Sequence, residues 1–123
     1  SLIDAGVPAP GHSDAMVCQA NPFLALWSMI TRRSDDGGDL DQCQAVSRIE
    51  ALHAYTTLGA YAGREEAVKG SIEPGKDASL AVVRLSGKGA NPYRLLFDGE
   101  SEVVATLFRG ALVACQGHLF GST

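Results

Sequence analysis

The stretch Lys69-Gly70-Ser71-Ile72-Glu73-Pro74-Gly75-Lys76 leads shortly into the apolar run Leu80-Ala81-Val82-Val83. Proline holds φ near −65° at the second position of a turn, and glycine supplies the positive φ that a type II turn needs at the third. Glu73 to Lys76 therefore read as a tight turn. The residues after it are small and β-branched and are bounded by turn signals, as in a covered strand. Ala78 to Leu85 is the predicted strand, with Ser71-Ile72 a short extended piece before the turn. A strand here, with helical patterns upstream, predicts an α+β chain.

Upstream, Ser47-Arg48-Ile49-Glu50 is a capping box: the serine caps, and the glutamate three residues on reaches back. The helix it opens is expected to run to about Ala62 and to stop at Gly63. Ile49, Leu52, Tyr55 and Thr56 form its expected buried side, with His53 solvated opposite. Gly59 weakens a helix by about 1 kcal/mol relative to alanine, which points to close packing there. Asn21-Pro22 opens an earlier helix, because asparagine accepts from free first-turn N–H groups and proline loses nothing at the first position. Phe23, Leu26, Trp27 and Ile30 share one apolar face. Arg32-Arg33 fall where a last turn would favour positive charge. Ser34 to Asp39 is an acidic, glycine-rich loop that lacks the ligand order of an EF-hand, and is expected to be a mobile surface loop.

Downstream, Ser86 to Asn91 reads as a flexible connection whose Gly-x-Gly lacks the rest of a dinucleotide fingerprint. Pro92 to Phe97 suggests a short helical turn, and Asp98-Gly99 another turn. Glu102 to Phe108 and Ala111 to Cys115 flank Arg109-Gly110, a two-residue hairpin spacing with glycine second, as primed turns prefer. Gln116 to Thr123 is a polar tail, expected to fray.

Composition narrows the function classes. The 123 residues allow one core and carry a net charge of −4, with no basic run, which argues against nucleic acid as a partner. No stretch approaches the roughly 20 apolar residues of a membrane helix, and the start shows no charged-then-apolar leader. Cys18, Cys43 and Cys115 are odd in number and widely spaced, so reduced thiols in a cytoplasmic protein are expected.

Ala51-Leu52-His53-Ala54-Tyr55-Thr56, Gly59-Ala60-Tyr61-Ala62 and the string from Lys69 to Lys76 together resemble the amidohydrolase superfamily, in its amidohydrolase 3-like branch. The resemblance runs from about Val7 to Val113 and covers only the last part of a family member. It implies a C-terminal fragment. Residues 1–63 would be the end of a (β/α)8 barrel, its last strand and following helices. Residues 64–123 would be the C-terminal part of a small β-sandwich. Val7-Pro8-Ala9-Pro10, a loop by its prolines alone, would be the eighth barrel strand.

That strand ends in a Ser-Asp pair in the family, matched by Ser13-Asp14. The resemblance makes Asp14 a metal ligand or the general base that takes the proton of the attacking water, at the barrel's C-terminal mouth. His12, where the family commonly has glycine, is a weaker candidate ligand. Family members hydrolyse amides and other C–N bonds with one or two divalent metals, zinc being expected in the full-length parent. Their other ligands are an early His-x-His, a mid-chain lysine or glutamate and two later histidines. This chain has His12, His53 and His118 and no His-x-His. A zinc ion wants three protein ligands, and an eight-stranded barrel needs about 200 residues or more. The isolated chain is therefore expected to be inactive and metal-free. The alternative is a stand-alone, non-catalytic assembly module. Either way exposed edges and apolar helix faces predict a homo-oligomer, and the parent's substrate would be a small amide-type molecule.

Overall fold

Asn21 and Pro22 start a helix over Pro22–Thr31 (α1), and the Asn21 side chain accepts from the Phe23 N–H at 3.0 Å. The computed structural model describes residues 2–17, 20–34, 38–86 and 100–115. Contacts divide the chain into two units, residues 1–66 and 67–123.

In the first unit Leu26 is buried, with Phe23, Trp27 and Ile30 half-buried beside it. The helix stops sooner than its charge pattern suggests. Arg32 already has φ 52°, and its N–H donates to the Ser28 carbonyl at 2.9 Å, so Arg32 and Arg33 follow the last turn and are not in it. Ser34 N–H then bonds the Gly38 carbonyl at 2.9 Å, and Arg33 and Asp39 form an isolated antiparallel bridge. The central residues of this acidic loop, 35–37, lie outside the described set. A single 3-10 turn, Gln42–Gln44, capped by Asp41, follows.

The Ser47 capping box forms as the sequence indicates. Ser47 Oγ accepts from the Glu50 N–H at 3.2 Å, and Glu50 Oε2 accepts from the Ser47 N–H at 2.7 Å. The helix it opens does not continue to Ala62. It breaks at Thr56, φ −121° and ψ −87°, into Arg48–Tyr55 (α2) and Thr57–Ala62 (α3). Two adjacent threonines account for the break: Thr56 Oγ1 donates to the Leu52 carbonyl at 2.7 Å, and the Thr56 N–H turns to His53 at 3.2 Å. Such side-chain bonds compete with the helical ladder and bend it.

The buried side of this pair also differs from the expected one. Ala51 and Ala54 are 0% and 1% exposed and Leu52 and Tyr55 are half-buried, whereas Ile49 is 54% exposed and Thr56 faces solvent. Methyl side chains let α1 pack closely on α2, and the Val46 N–H reaches the Met29 carbonyl at 3.2 Å. Gly59 is exposed, and a Cβ there would meet nothing within 4 Å, so tight packing does not explain it. Gly63 is right-handed at φ −80°, and Arg64 takes the left-handed position instead, at φ 56°. His53 is exposed, as expected. Val7 to Pro10 belongs to no ladder among the described residues.

The second unit starts with the Pro-Gly turn. Gly75 has φ 91°, and the Lys76 N–H bonds the Glu73 carbonyl at 3.2 Å, a type II arrangement. Lys76 Nζ and the Ser71 hydroxyl close a ring of hydrogen bonds with the Glu73 carboxylate across it. Ile72 stays 87% exposed and joins no strand. The sheet contains Leu80–Ser86 (β1), Glu100–Phe108 (β2) and Ala111–Cys115 (β3), antiparallel in the order β1-β2-β3. The β2–β3 turn has positive φ at both centres, Arg109 at 50° and Gly110 at 82°, as a type I′ hairpin requires. Arg109 Nε also reaches Asp77 at 3.0 Å, tying the hairpin to the segment before β1.

Bulges interrupt the ladders at Val82/Val83 and Thr106/Leu107. Burial concentrates on the central strand, where Val104 and Ala105 are buried, while Ala81 and Val82 on β1 are exposed. Among the described residues the strand after the Pro-Gly turn is an edge strand, with Leu80, Val83 and Leu85 only half-buried. Among the described residues only β2 has a neighbour on each side. The architecture is α+β, as the sequence indicates. The expectations for residues 87–99 and for the tail at 116–123 fall outside the described residues, as does Cys18. Cys43 and Cys115 are exposed. Among the described residues no helix is long and apolar enough to cross a membrane.

Candidate functional site

Asp14 lies in the segment that runs from Val7 to α1, in the left-handed region at φ 48°. Aspartate is among the few non-glycine residues that adopt this conformation with any frequency. The turn is closed behind it by the Val17 N–H, which donates to the Asp14 carbonyl at 2.8 Å. Ahead of it, the Asp14 N–H donates to His12 Nδ1 at 2.8 Å. The side chains of both residues are exposed. No hydrogen bond or ion pair engages the Asp14 carboxylate among the described residues.

The segment is anchored one residue before His12. The Gly11 N–H donates to the Ala54 carbonyl at 2.9 Å. A Cβ on Gly11 would run into the Tyr55 ring. Glycine is needed here for close approach to α2. Gly11 is the residue sequence reasoning passes over; Tyr55 is read as part of the buried side of its helix, but not as the ring against Gly11. The pair Pro10-Gly11 is the available signal, and it reads equally well as an ordinary turn.

Two recesses lie in the same unit. One, of about 420 Å³, is lined by Trp27, Thr31, Arg33, Asp39 and Gln42. Its polar groups are engaged in holding the end of α1: Arg33 Nε meets Asp39 at 3.2 Å, Gln42 Nε2 donates to the Thr31 carbonyl at 2.9 Å, and Thr31 Oγ1 donates to the Trp27 carbonyl at 2.8 Å. The other, of about 240 Å³, has Glu50 and His53 among Ile3, Val7, Pro8 and Leu58. The Ser47 hydroxyl, and then the Ser47 N–H, hold the Glu50 carboxyl below its usual range, so it serves as a capping anion.

Among the described residues no three histidine, cysteine, aspartate or glutamate side chains come together as a metal-binding group. Asp14 offers one oxygen donor set. His12 Nδ1 is taken by a backbone proton. These residues alone do not fit a hydrolytic zinc ion, which takes three protein ligands and one water. The arrangement can supply one carboxylate to a centre whose other ligands come from elsewhere.

A model of the amidohydrolase family matches residues 1–114. The chain is 36% identical over 83 residues to an N-substituted formamide deformylase of Arthrobacter pascens, a match that covers 68% of this chain and 15% of that protein. It is 27% identical over 116 residues to a candidate amidohydrolase, YtcJ, of Bacillus subtilis (strain 168), covering 92% of this chain and 21% of that protein. The chain thus spans about a fifth or less of the length of these curated relatives. No solved structure matches it.

Proposed function

Because the chain belongs to the amidohydrolase family, we propose that it is the C-terminal segment of a metal-dependent hydrolase of amide and other C–N bonds, to which it contributes Asp14. The observation that carries this reading is the family match over residues 1–114, set against the 15% and 21% of the relatives that the chain covers. Residues 1–63 are read as the end of a (β/α)8 barrel and residues 64–123 as part of a β-sandwich. The partition of contacts after Glu66 supports that division.

In this reading a divalent metal, with zinc the first choice, polarises the scissile carbonyl and lowers the pKa of a bound water. Asp14 either ligates that metal or accepts the proton of the attacking water. Its exposed carboxylate and supported backbone suit both tasks. His12 is a candidate ligand only if its bond to the Asp14 N–H is released. The deformylase relative makes N-substituted formamides the first substrate class to try. The chain is further read as cytoplasmic and as forming a homo-oligomer, with neither nucleic acid nor membrane as partner.

Reconstitution tests the proposal. The 123-residue chain is mixed with the polypeptide encoded upstream of it in its gene, zinc is added, and hydrolysis of an N-substituted formamide is followed. The expected outcome is activity in the mixture, none in either part, and a loss of at least about 100-fold with Asp14→Ala, as for removal of a group acting directly on the reacting water. Activity unaffected by Asp14→Ala overturns the assignment of Asp14.

One observation favours a second reading, a non-catalytic module that assembles with itself. Leu112 and Val113 on β3 are more than half exposed, and among the described residues β3 is a sheet edge. Such edges invite strand pairing.

A further inference from the structure

We infer that His12 is a positioning residue for Asp14: its imidazole accepts the Asp14 N–H and so sets the backbone that aims the carboxylate. The inference rests on the reading of Asp14 as the reacting carboxylate and deepens it. A backbone N–H can only donate, so the 2.8 Å bond requires an unprotonated Nδ1. In the neutral ring the proton then sits on Nε2. Both ring nitrogens are committed, and neither has a lone pair left for a metal ion.

The bond spans two residues, the same reach as an Asx turn, in which an asparagine or aspartate side chain accepts from the N–H two residues on. It acts where support is needed, because a non-glycine residue at φ 48° costs energy unless its surroundings hold it there. The residue before His12 is itself fixed. Gly11 is bonded to the carbonyl of Ala54, which is 1% exposed, and lies against the Tyr55 ring. A line of contacts therefore runs from the buried face of α2 through Gly11 and His12 to the Asp14 backbone. The Val17 N–H holds the far side at 2.8 Å. The carboxylate is presented from a backbone clamped before and after it.

The test uses the 123-residue chain, ¹⁵N-labelled, with the imidazole kept neutral by alkaline buffer. The His12 ring nitrogens, the Asp14 amide exchange rate and the Asp14 H–N–Hα coupling are read by NMR, first in the unaltered chain. Nδ1 is expected to resonate as an unprotonated acceptor and Nε2 as a protonated nitrogen. His12→Ala is expected to speed Asp14 amide exchange about five- to tenfold, the loss of one modest hydrogen bond. His12→Asn, which keeps an acceptor at the same reach, should stay within about twofold of the unaltered chain. Amide shifts of α2 report whether each variant is folded, and the unaltered chain's ring signature decides if His12→Ala is not.

A protonated Nδ1, or Asp14 exchange unchanged by His12→Ala in a folded variant, overturns the inference. So does added zinc shifting the ring nitrogens in the unaltered chain, which would make His12 a ligand. If the bond and its rescue by His12→Asn are found while reconstituted hydrolysis ignores Asp14→Ala, the functional reading fails and the positioning of this backbone stands.

Discussion

Asp14 turns through φ 48° with its amide on a histidine ring and its carbonyl on Val17, while Gly11 fixes the same segment to α2. The direction of the carboxylate is therefore a property of neighbours and not of its own exposed side chain. Gly11→Ala is predicted to destabilise the first unit by about 1–3 kcal/mol, because the added methyl must push the Tyr55 ring or the segment away. A shift in the urea midpoint of a helix-sensitive signal measures this. Glu73 gives a second prediction at this scale. The Ser71 hydroxyl, and then the Lys76 ammonium, hold its carboxyl below the usual value. A carboxyl lowered in the folded state adds stability above its unfolded pKa, and that stability is lost as pH falls through the folded pKa. Glu73→Gln should therefore flatten the acid limb of the stability profile, measured as urea midpoint against pH. An unchanged acid limb would show that the ring around the Pro-Gly turn contributes nothing.

Local signals were legible at the level of elements, and packing was not. The Asn21 cap, the Ser47 capping box, the Pro74-Gly75 turn and the Arg109-Gly110 hairpin each depend on a few consecutive residues, and each formed. The break at Thr56 depends on two hydroxyls outcompeting the ladder, a contest that apolar periodicity does not register. The choice of Ala51 and Ala54 as the buried side depends on how closely α1 approaches, which one helix's sequence cannot specify. The candidate site divides the same way: the Ser13-Asp14 pair is visible as a motif, whereas Gly11 becomes meaningful only against Tyr55. Ser47→Ala should cost about 0.5–2 kcal/mol by removing the cap. Gly59→Ala should stabilise by roughly 0.4–1 kcal/mol, because the position is helical and open. Thermal unfolding of the two variants, followed by far-ultraviolet circular dichroism, checks both signs together.

At the scale of the whole molecule, few large side chains are buried among the described residues. Among the described residues the buried positions are Leu26, three alanines in the helical unit, and Val104 and Ala105 in the sheet. Leu112, Val113 and Phe108 lie more than half exposed around the β2–β3 hairpin. Self-association is predicted, and light scattering at rising concentration should show dimers or larger species, reduced by Leu112→Lys at the sheet edge. A clean monomer throughout contradicts that expectation. The central claim is that this chain supplies one carboxylate to a metal centre it cannot build alone. Zinc retained per chain after exhaustive dialysis, measured on the purified 123-residue protein by atomic absorption, tests it most directly. The account predicts a content far below stoichiometric and the same for Asp14→Ala. A full equivalent of zinc bound by a monomer, and lost with Asp14→Ala, would contradict it.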